Sequence, residues 1–207
     1  MKRFFILSAL AAGLLLQAAS AALAGQIQVK MITSLGTIEL ELYPDKAPVS
    51  VANFLRYAKQ GLYDNTIFHR VIPNFMIQGG GYDKDMNKQS NFGSIINEAD
   101  NGLSNNVGSI AMARTAEPNS ARNQFFINTS NNSFLNHRSK SADGWGYAVF
   151  GRVSKGMNVV RRIESVQTDL RNGMKDVPLM PVSIQQVKVI EWADEALPGP
   201  RKHTTAK

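Results

Sequence analysis

The sequence predicts a mainly β fold, a barrel of strands capped by two α-helices. About eight short segments have the alternation or the apolar content of strands, and only two segments have the apolar spacing of helices. Strands and helices do not alternate along the chain, so a parallel βαβ sheet is not indicated. Strand-rich chains of this length hide their edges in a barrel or a sandwich, and we favour the barrel.

The predicted strands are residues 27–33, 36–43, two within 68–81, 107–113, 123–129, 147–153 and 182–192. The first two strands alternate apolar and polar residues, which indicates that one face packs on the core and the other is exposed to solvent. In FHRVIPNFMIQGGG, residues 68–81, Pro73 and Asn74 form the turn between two short strands. The polar, glycine-rich residues 82–106 are expected to form a long surface loop.

The helices are predicted within residues 44–65 and 154–166. Each has one apolar side, formed by Val51, Phe54, Leu55 and Ala58 in the first and by Met157, Val160 and Ile163 in the second. Pro48 suits the first turn of the first helix, and Gly61 ends that helix. Gly156 is expected to weaken the first turn of the second helix.

The N-terminus has the pattern of a secretory signal peptide. Lys2 and Arg3 precede an apolar run from Phe4 to Leu16, and Ala22 to Ala24 form a small-x-small cleavage site. A membrane anchor that stays in place is the alternative, but the polar and alanine-rich end of the run weakens it. We therefore expect export to the periplasm, with no membrane anchor after cleavage.

These features divide the chain into three parts: a signal peptide at residues 1–24, one folded domain at 25–197 and a disordered basic tail at 198–207. A second cleavage site at residues 19–21 leaves the mature start open by about three residues. We expect the folded protein to be a monomer.

Composition excludes several classes of chemistry. The chain has no cysteine, which excludes disulfides, thiol catalysis and a lipid anchor on cysteine. Its formal net charge is +7, but the basic residues are scattered, so we expect no nucleic-acid partner and only a mild attraction to anionic envelope surfaces.

Motifs for metals and cofactors are also missing from the sequence. His69, His137 and His203 are too far apart for the spacing of a metal site. No phosphate-binding loop and no nucleophile elbow occur, and Gly79 to Gly81 end a strand without opening a helix. We therefore expect neither a metal nor a cofactor, and a function that works by binding and shape.

Strand alternation identifies a candidate binding surface. Met76 and Gln78 share one face of their strand, and Gln124 and Phe126 share one face of theirs. If both faces point away from the core, the outer wall carries two apolar side chains and two amides. An exposed apolar patch with a few polar groups is typical of a binding site. Alternation places Phe75 on the opposite face.

Long motifs in this region resemble the cyclophilin-type peptidyl-prolyl cis-trans isomerases, most of all their exported bacterial branch. The motifs are FHRVIPNFMIQGG, IAMARTAEPNSARNQFFIN, FLNH and YAVFGRV, in the family's order, and the resemblance runs from about residue 27 to residue 190. It implies a closed eight-stranded antiparallel barrel with two helices. It also implies a rotamase that acts on proline-containing peptides and on exported proteins as they fold.

The resemblance also assigns roles to residues. It implies that Arg70 is the catalytic arginine and that Gln78 positions it. The implied substrate-binding residues are Phe75, Met76, Ala113, Arg114, Gln124, Phe126, Phe134, Leu135 and Tyr147. Tyr147 stands where many members have histidine, and residues 138–145 differ in length from the shorter members. Phe134 stands where cyclosporin-sensitive members carry tryptophan, so we expect weak cyclosporin binding.

The implied reaction suits an arginine. Rotation about an Xaa-Pro bond breaks amide resonance, with a barrier of ~18–20 kcal/mol. The prolyl nitrogen has a localised lone pair only when the bond is twisted, so a cation that donates to it stabilises the transition state selectively. A non-catalytic binder of proline segments would not need this donor. A basic barrel that binds an envelope surface or nucleic acid would need cations interleaved with outward aromatics, a pattern that the sequence lacks.

Overall fold

The computed structural model describes residues 27–191; the predicted signal peptide and tail lie outside them. The strands are β1 (Ile27–Thr33), β2 (Gly36–Leu42), β3 (Thr66–Ile72), β4 (Met76–Asp83), β5 (Ser109–Met112), β6 (Phe125–Asn128), β7 (Val149–Lys155), β8 (Thr168–Arg171), β9 (Met174–Pro178) and β10 (Ser183–Glu191). The helices are α1 (Pro48–Lys59) and α2 (Met157–Glu164), with a 3₁₀ helix at Ser133–Leu135. No helix in this range is long and apolar enough to cross a bilayer.

Eight strands close into one antiparallel barrel in the order β1-β10-β3-β4-β6-β5-β7-β2. The predicted eight-stranded barrel with two helices is therefore confirmed, and the sandwich alternative is wrong. β8 and β9 form a separate two-stranded sheet. That hairpin was not predicted, although its turn is Asn172-Gly173, the residue pair that favours a two-residue turn with both φ angles positive, here 49° and 78°.

Aromatic side chains fill the barrel interior. The ring of Phe54, on α1, lies 5.6 Å from that of Phe125 and 5.4 Å from that of Phe150, and all three side chains are fully buried. An eight-stranded barrel is just wide enough for its own side chains to fill it. The barrel interior is therefore part of the core.

Glycine in β4 allows these rings to pack against the backbone. A Cβ atom at Gly80 would lie 2.8 Å from a ring carbon of Tyr63 and 3.0 Å from one of Phe125. Gly80 also has a φ of 83°, which disfavours other residues. Gly80 is thus a packing requirement of the core.

The helix ends differ from expectation at one point. α1 begins at Pro48 and is followed by Gly61 with a φ of 66°, as predicted. Gly156 was expected to weaken the first turn of the second helix, but it is the N-cap of α2, with a φ of 92°. It lies outside the helix and does not weaken it.

The connection between β4 and β5 is less exposed than predicted. It has little regular structure, but the side chains of Met86, Asn97, Ala99 and Asn105 are buried within it. Polar side chains can be buried here because their amide groups form hydrogen bonds with the backbone. Asn97 Nδ2, for example, donates to the Gly146 carbonyl at 3.1 Å. The loop therefore forms part of the packed structure around the barrel.

Candidate active site

One row of side chains crosses the outer face of five neighbouring strands. Strand pairing places Arg70 (β3) opposite Gln78 (β4), Gln78 opposite Phe126 (β6), Phe126 opposite Ala111 (β5), and Ala111 opposite Val149 (β7). Directly paired residues on one face have Cβ atoms about 4.5–5.5 Å apart. The alternation therefore brings a cation, an amide and an apolar surface together outside the barrel.

The apolar part of this row belongs to a second hydrophobic cluster, separate from the barrel interior. Its buried members are Met76, Ala111, Phe126, Leu135 and Val149, and its partly buried members are Ile72, Phe75, Leu103, Ala113 and Tyr147. We call this set the outer cluster. It brings together five predicted substrate-binding residues besides Phe75: Met76, Ala113, Phe126, Leu135 and Tyr147.

The predicted exposed patch is wrong in one respect. Met76 and Phe126 do point outward, but they are only 2% and 4% exposed. Leu135 of the 3₁₀ helix and Tyr147 pack over them; the rings of Phe126 and Tyr147 meet edge-on at 5.6 Å. Only the partly buried members of the outer cluster therefore offer an apolar edge that a ligand could reach.

Phe75 also differs from the alternation. It lies in the turn before β4, where its N–H donates to the Ile72 carbonyl at 3.2 Å, so the period of the strand does not apply to it. Its side chain packs against the outer cluster, and its ring stacks on Phe134 at 5.7 Å. Phe134 is 64% exposed and extends this apolar edge.

A buried amide network holds the segments that carry Phe75 and Leu135. Asn132 Nδ2 donates to the Phe75 carbonyl at 2.8 Å and to Asn128 Oδ1 at 2.6 Å. Asn105 Nδ2 donates to the Leu135 carbonyl at 3.2 Å, and Asn128 Nδ2 to Asn105 Oδ1 at 3.1 Å. These asparagines were not singled out from the sequence, because isolated asparagines in polar segments carry no distinctive signal.

Arg70 lies at the β3 end of the row. Its side chain is 43% exposed, and its Nε is 3.8 Å from Oδ2 of Asp176, on β9. Gln78 is its strand neighbour, but Gln78 Nε2 donates to Gln124 Oε1 at 2.8 Å. The described residues show no side-chain hydrogen bond between Gln78 and Arg70, so the positioning role of Gln78 stays a prediction. Asp176 was not singled out from the sequence, because the hairpin that carries it was not predicted.

A polar groove of about 490 Å³ adjoins the row. Its lining includes Gln78, Ala113, Arg114 and Gln124, with Lys88 and Arg122 on its walls. None of the residues that line it is acidic. The groove therefore offers amide groups and positive charge beside the apolar edge.

Arg114 is held in the groove wall. Its Nε donates to the Gly146 carbonyl at 2.8 Å, and its guanidinium lies 4.7 Å from the centre of the Tyr147 ring. These contacts link the groove to the outer cluster, so the predicted residues Arg114 and Tyr147 form one surface.

His69 is buried next to Arg70 in the chain. It is 4% exposed, and its ring lies 4.7 Å from that of Tyr82. Burial, helped by the neighbouring charge of Arg70, lowers the pKa of His69 to about 4, so the ring is neutral at pH 7. Between residues 27 and 191 no group of three or more histidine, aspartate or glutamate side chains could hold a metal ion.

Comparison with known proteins agrees with this geometry. The family model for cyclophilin type peptidyl-prolyl cis-trans isomerases matches residues 28–189. A peptidyl-prolyl cis-trans isomerase of Streptomyces antibioticus is 54% identical over 162 residues, which cover 78% of this chain and 98% of that protein. Peptidyl-prolyl cis-trans isomerase A of Dickeya dadantii is 49% identical over 188 residues, covering 90% and 97%.

A solved structure is also similar. A cyclophilin type isomerase of Cryptosporidium parvum, crystallised in the presence of the dipeptide Ala-Pro, superposes with a TM-score of 0.65 at 27% identity. The match covers 79% of this chain and 99% of that one.

Proposed function

The chain belongs to the cyclophilin-type peptidyl-prolyl cis-trans isomerases, and we propose that Arg70 and the outer cluster are the groups with which it accelerates rotation about Xaa-Pro bonds. The isomerase activity and its general role in protein folding follow from family membership. The observation that supports the assignment of residues is the row from Arg70 to Val149, which places one cation beside an apolar edge.

In the proposed mechanism, Arg70 donates a hydrogen bond to the prolyl nitrogen. In the planar amide this nitrogen is a poor acceptor, and in the twisted amide its lone pair is localised. A donor aimed at it therefore stabilises the transition state more than the bound ground state. Within residues 27–191, Arg70 has one charged partner, at Nε, and no hydrogen bond to its terminal nitrogens. The terminal N–H groups are thus available to a substrate.

The outer cluster supplies the remaining stabilisation. A rate increase of roughly 10⁵ needs about 7 kcal/mol off the barrier, and one charge-assisted contact supplies only a few kcal/mol. A proline ring on the edge formed by Phe75, Ala113 and Tyr147 would be fixed while the carbonyl before it turns in a partly desolvated site.

The groove holds the peptide backbone in this proposal. Gln124 lines the groove and bonds to Gln78, so its amide is held at the border between groove and outer cluster. Gln124, Ala113 and Arg114 are the residues we assign to substrate main-chain binding. The Ala-Pro dipeptide of the Cryptosporidium structure is a minimal example of such a ligand.

The test replaces Arg70 by alanine and measures isomerisation of a short Xaa-Pro peptide in a protease-coupled assay. We expect kcat/KM to fall about a hundredfold, the usual effect of removing one preorganised donor. Arg56→Ala is the control, because Arg56 is an exposed arginine on α1 whose guanidinium packs over Phe92. Arg56→Ala should keep the kcat/KM of the parent, and Arg70→Ala should keep its urea midpoint. Equal rates for Arg70→Ala and the parent would reject the mechanism.

We also propose that the protein is exported and acts on proteins that fold in the periplasm. The support is the charged, apolar and small-residue pattern of residues 1–24. Expression of the full chain in a bacterium with two membranes should yield, in the osmotic-shock fraction, a protein that begins after residue 24 or residue 21. Recovery of the uncleaved chain from the cytoplasm would reject export and leave the isomerase assignment intact.

A further inference from the structure

The β8–β9 hairpin is fixed against β3, the strand that carries Arg70. Val177 of β9 is buried in a small apolar cluster with Ile67 of β3 and Met86, and Met174 packs at its edge. The hairpin is therefore packed against β3, and it places a residue of β9 beside Arg70.

The backbone of β9 is irregular at the residue nearest Arg70. Asp169 pairs with Val177 and Arg171 with Met174, so two residues of β9, Lys175 and Asp176, oppose one residue of β8. Asp176 has a φ of 63°, in the left-handed region that aspartate tolerates better than most residues. A bulge redirects a side chain, and bulges are frequent next to active sites. Asp176 is therefore both a residue of the bulge and the residue with the left-handed φ.

Asp176 uses this position to contact Arg70. Its Oδ2 lies 3.8 Å from Arg70 Nε, and the two side chains are 39% and 43% exposed. Arg70 thus has Gln78 as its strand neighbour in β4 and the Asp176 carboxylate of β9 as its charged partner. Because the carboxylate faces Nε, the pair restricts the orientation of the guanidinium without occupying its terminal nitrogens.

We propose that Asp176 is a positioning residue for Arg70, which raises the fraction of time that the guanidinium points its terminal N–H groups at the prolyl nitrogen. An unrestrained arginine side chain has considerable rotamer freedom, and a partner at Nε removes part of it before the substrate binds. This inference rests on the proposed role of Arg70. It adds a residue of the separate hairpin to the machinery of the barrel.

The first experiment compares the parent with Asp176→Asn, which keeps the shape of the side chain and tolerates the same φ. We expect kcat to fall about two- to fivefold, as for an exposed ion pair, with KM nearly unchanged. The matched control is Asp169→Asn, which removes the same charge from an exposed position of the same hairpin. Its kcat should equal that of the parent.

Two further measurements separate positioning from a structural role. In an Arg70→Ala background, Asp176→Asn should leave the residual rate unchanged, because the residue acts only through Arg70. With an uncharged peptide, added NaCl should lower the kcat of the parent towards that of Asp176→Asn, whose own kcat stays flat, because salt screens an exposed pair.

A second variant guards against a folding defect. Asp176→Gly relieves the left-handed φ, so it should keep or raise the urea midpoint while it loses as much activity as Asp176→Asn. An unchanged kcat in both variants, or an equal loss in the Arg70→Ala background, would overturn the inference. If Arg70→Ala itself keeps full activity, the proposed function fails instead.

Discussion

Acid should destabilise this protein through His69 in a pH window where few other groups titrate. The ring is 4% exposed, and burial, helped by Arg70, holds its pKa at about 4, against 6.5 for the exposed side chain. Between these values the unfolded chain binds a proton that the folded chain does not. The free energy of unfolding therefore falls as the pH drops below 6.5, and the loss is complete below pH 4.

The size of the effect follows from the two pKa values. One pKa unit corresponds to about 1.4 kcal/mol, so the full loss is ~3 kcal/mol, with about 1.5 kcal/mol gone at pH 5.5 and about 2.5 kcal/mol at pH 4.5. A typical domain has 5–15 kcal/mol of stability, roughly, so the change should be easy to measure.

The assay is urea unfolding of the parent and of His69→Gln between pH 7.5 and pH 4.5. Glutamine is neutral throughout, so any packing defect lowers its stability by a constant amount, and the carboxylates that titrate in both proteins cancel. The free energy of unfolding of the parent, minus that of His69→Gln, should fall by about 1.5 kcal/mol from pH 7.5 to pH 5.5. Parallel curves would show that the ring charges freely in the folded protein, contrary to the burial argument.

Two other substitutions test the surroundings of the site. Glu164 of α2 is buried, and it accepts hydrogen bonds from the Asn74 N–H at 2.7 Å and from Arg161 at 2.8 Å. Burial raises its pKa, but Thr129, Arg161 and the Asn74 N–H together outweigh burial and lower it overall, so its contribution is present above about pH 4.5 and is lost on further acidification. Glu164→Gln should lower the free energy of unfolding at pH 7 by about 1–3 kcal/mol in urea titrations and weaken the acid dependence below pH 4.5; an unchanged midpoint would contradict this. Phe134→Trp should strengthen cyclosporin binding, measured by inhibition of the isomerase, and leave kcat/KM within about twofold of the parent. Unchanged inhibition would show that residue 134 does not determine cyclosporin sensitivity.

Local periodicity was enough to predict the strands and two of the shared faces, that of Met76 with Gln78 and that of Gln124 with Phe126, but not the whole outward row. The alternation in FHRVIPNFMIQGGG places Met76 and Gln78 on the face opposite Ile77, and pairing with β3 adds Arg70 to that face. A period of two is a property of the strand itself, so it needs no knowledge of distant segments. For the same reason it fails at Phe75, which lies in a turn.

Contacts between distant segments could not be predicted in this way. Nothing near Met76 indicates that Leu135 covers it, or that Gln78 bonds to Gln124. The turn Asn172-Gly173 does predict a hairpin, but its docking against β3 depends on a small apolar cluster of residues far apart in sequence. Such packing is settled by the three-dimensional fold, so the partner of Arg70 could not be found from the chain alone.

The two hydrophobic clusters give the core and the proposed site separate locations. The interior rings are fully buried, so a truncation there creates a cavity and lowers the free energy of unfolding. The proposed site lies on the other face of the same strands, where Arg70 and Gln78 are only half-buried. A change at either residue removes a functional group without opening the core. The alternation of a strand therefore lets residues adjacent in sequence, such as Arg70 and Val71, belong separately to the proposed site and to the core.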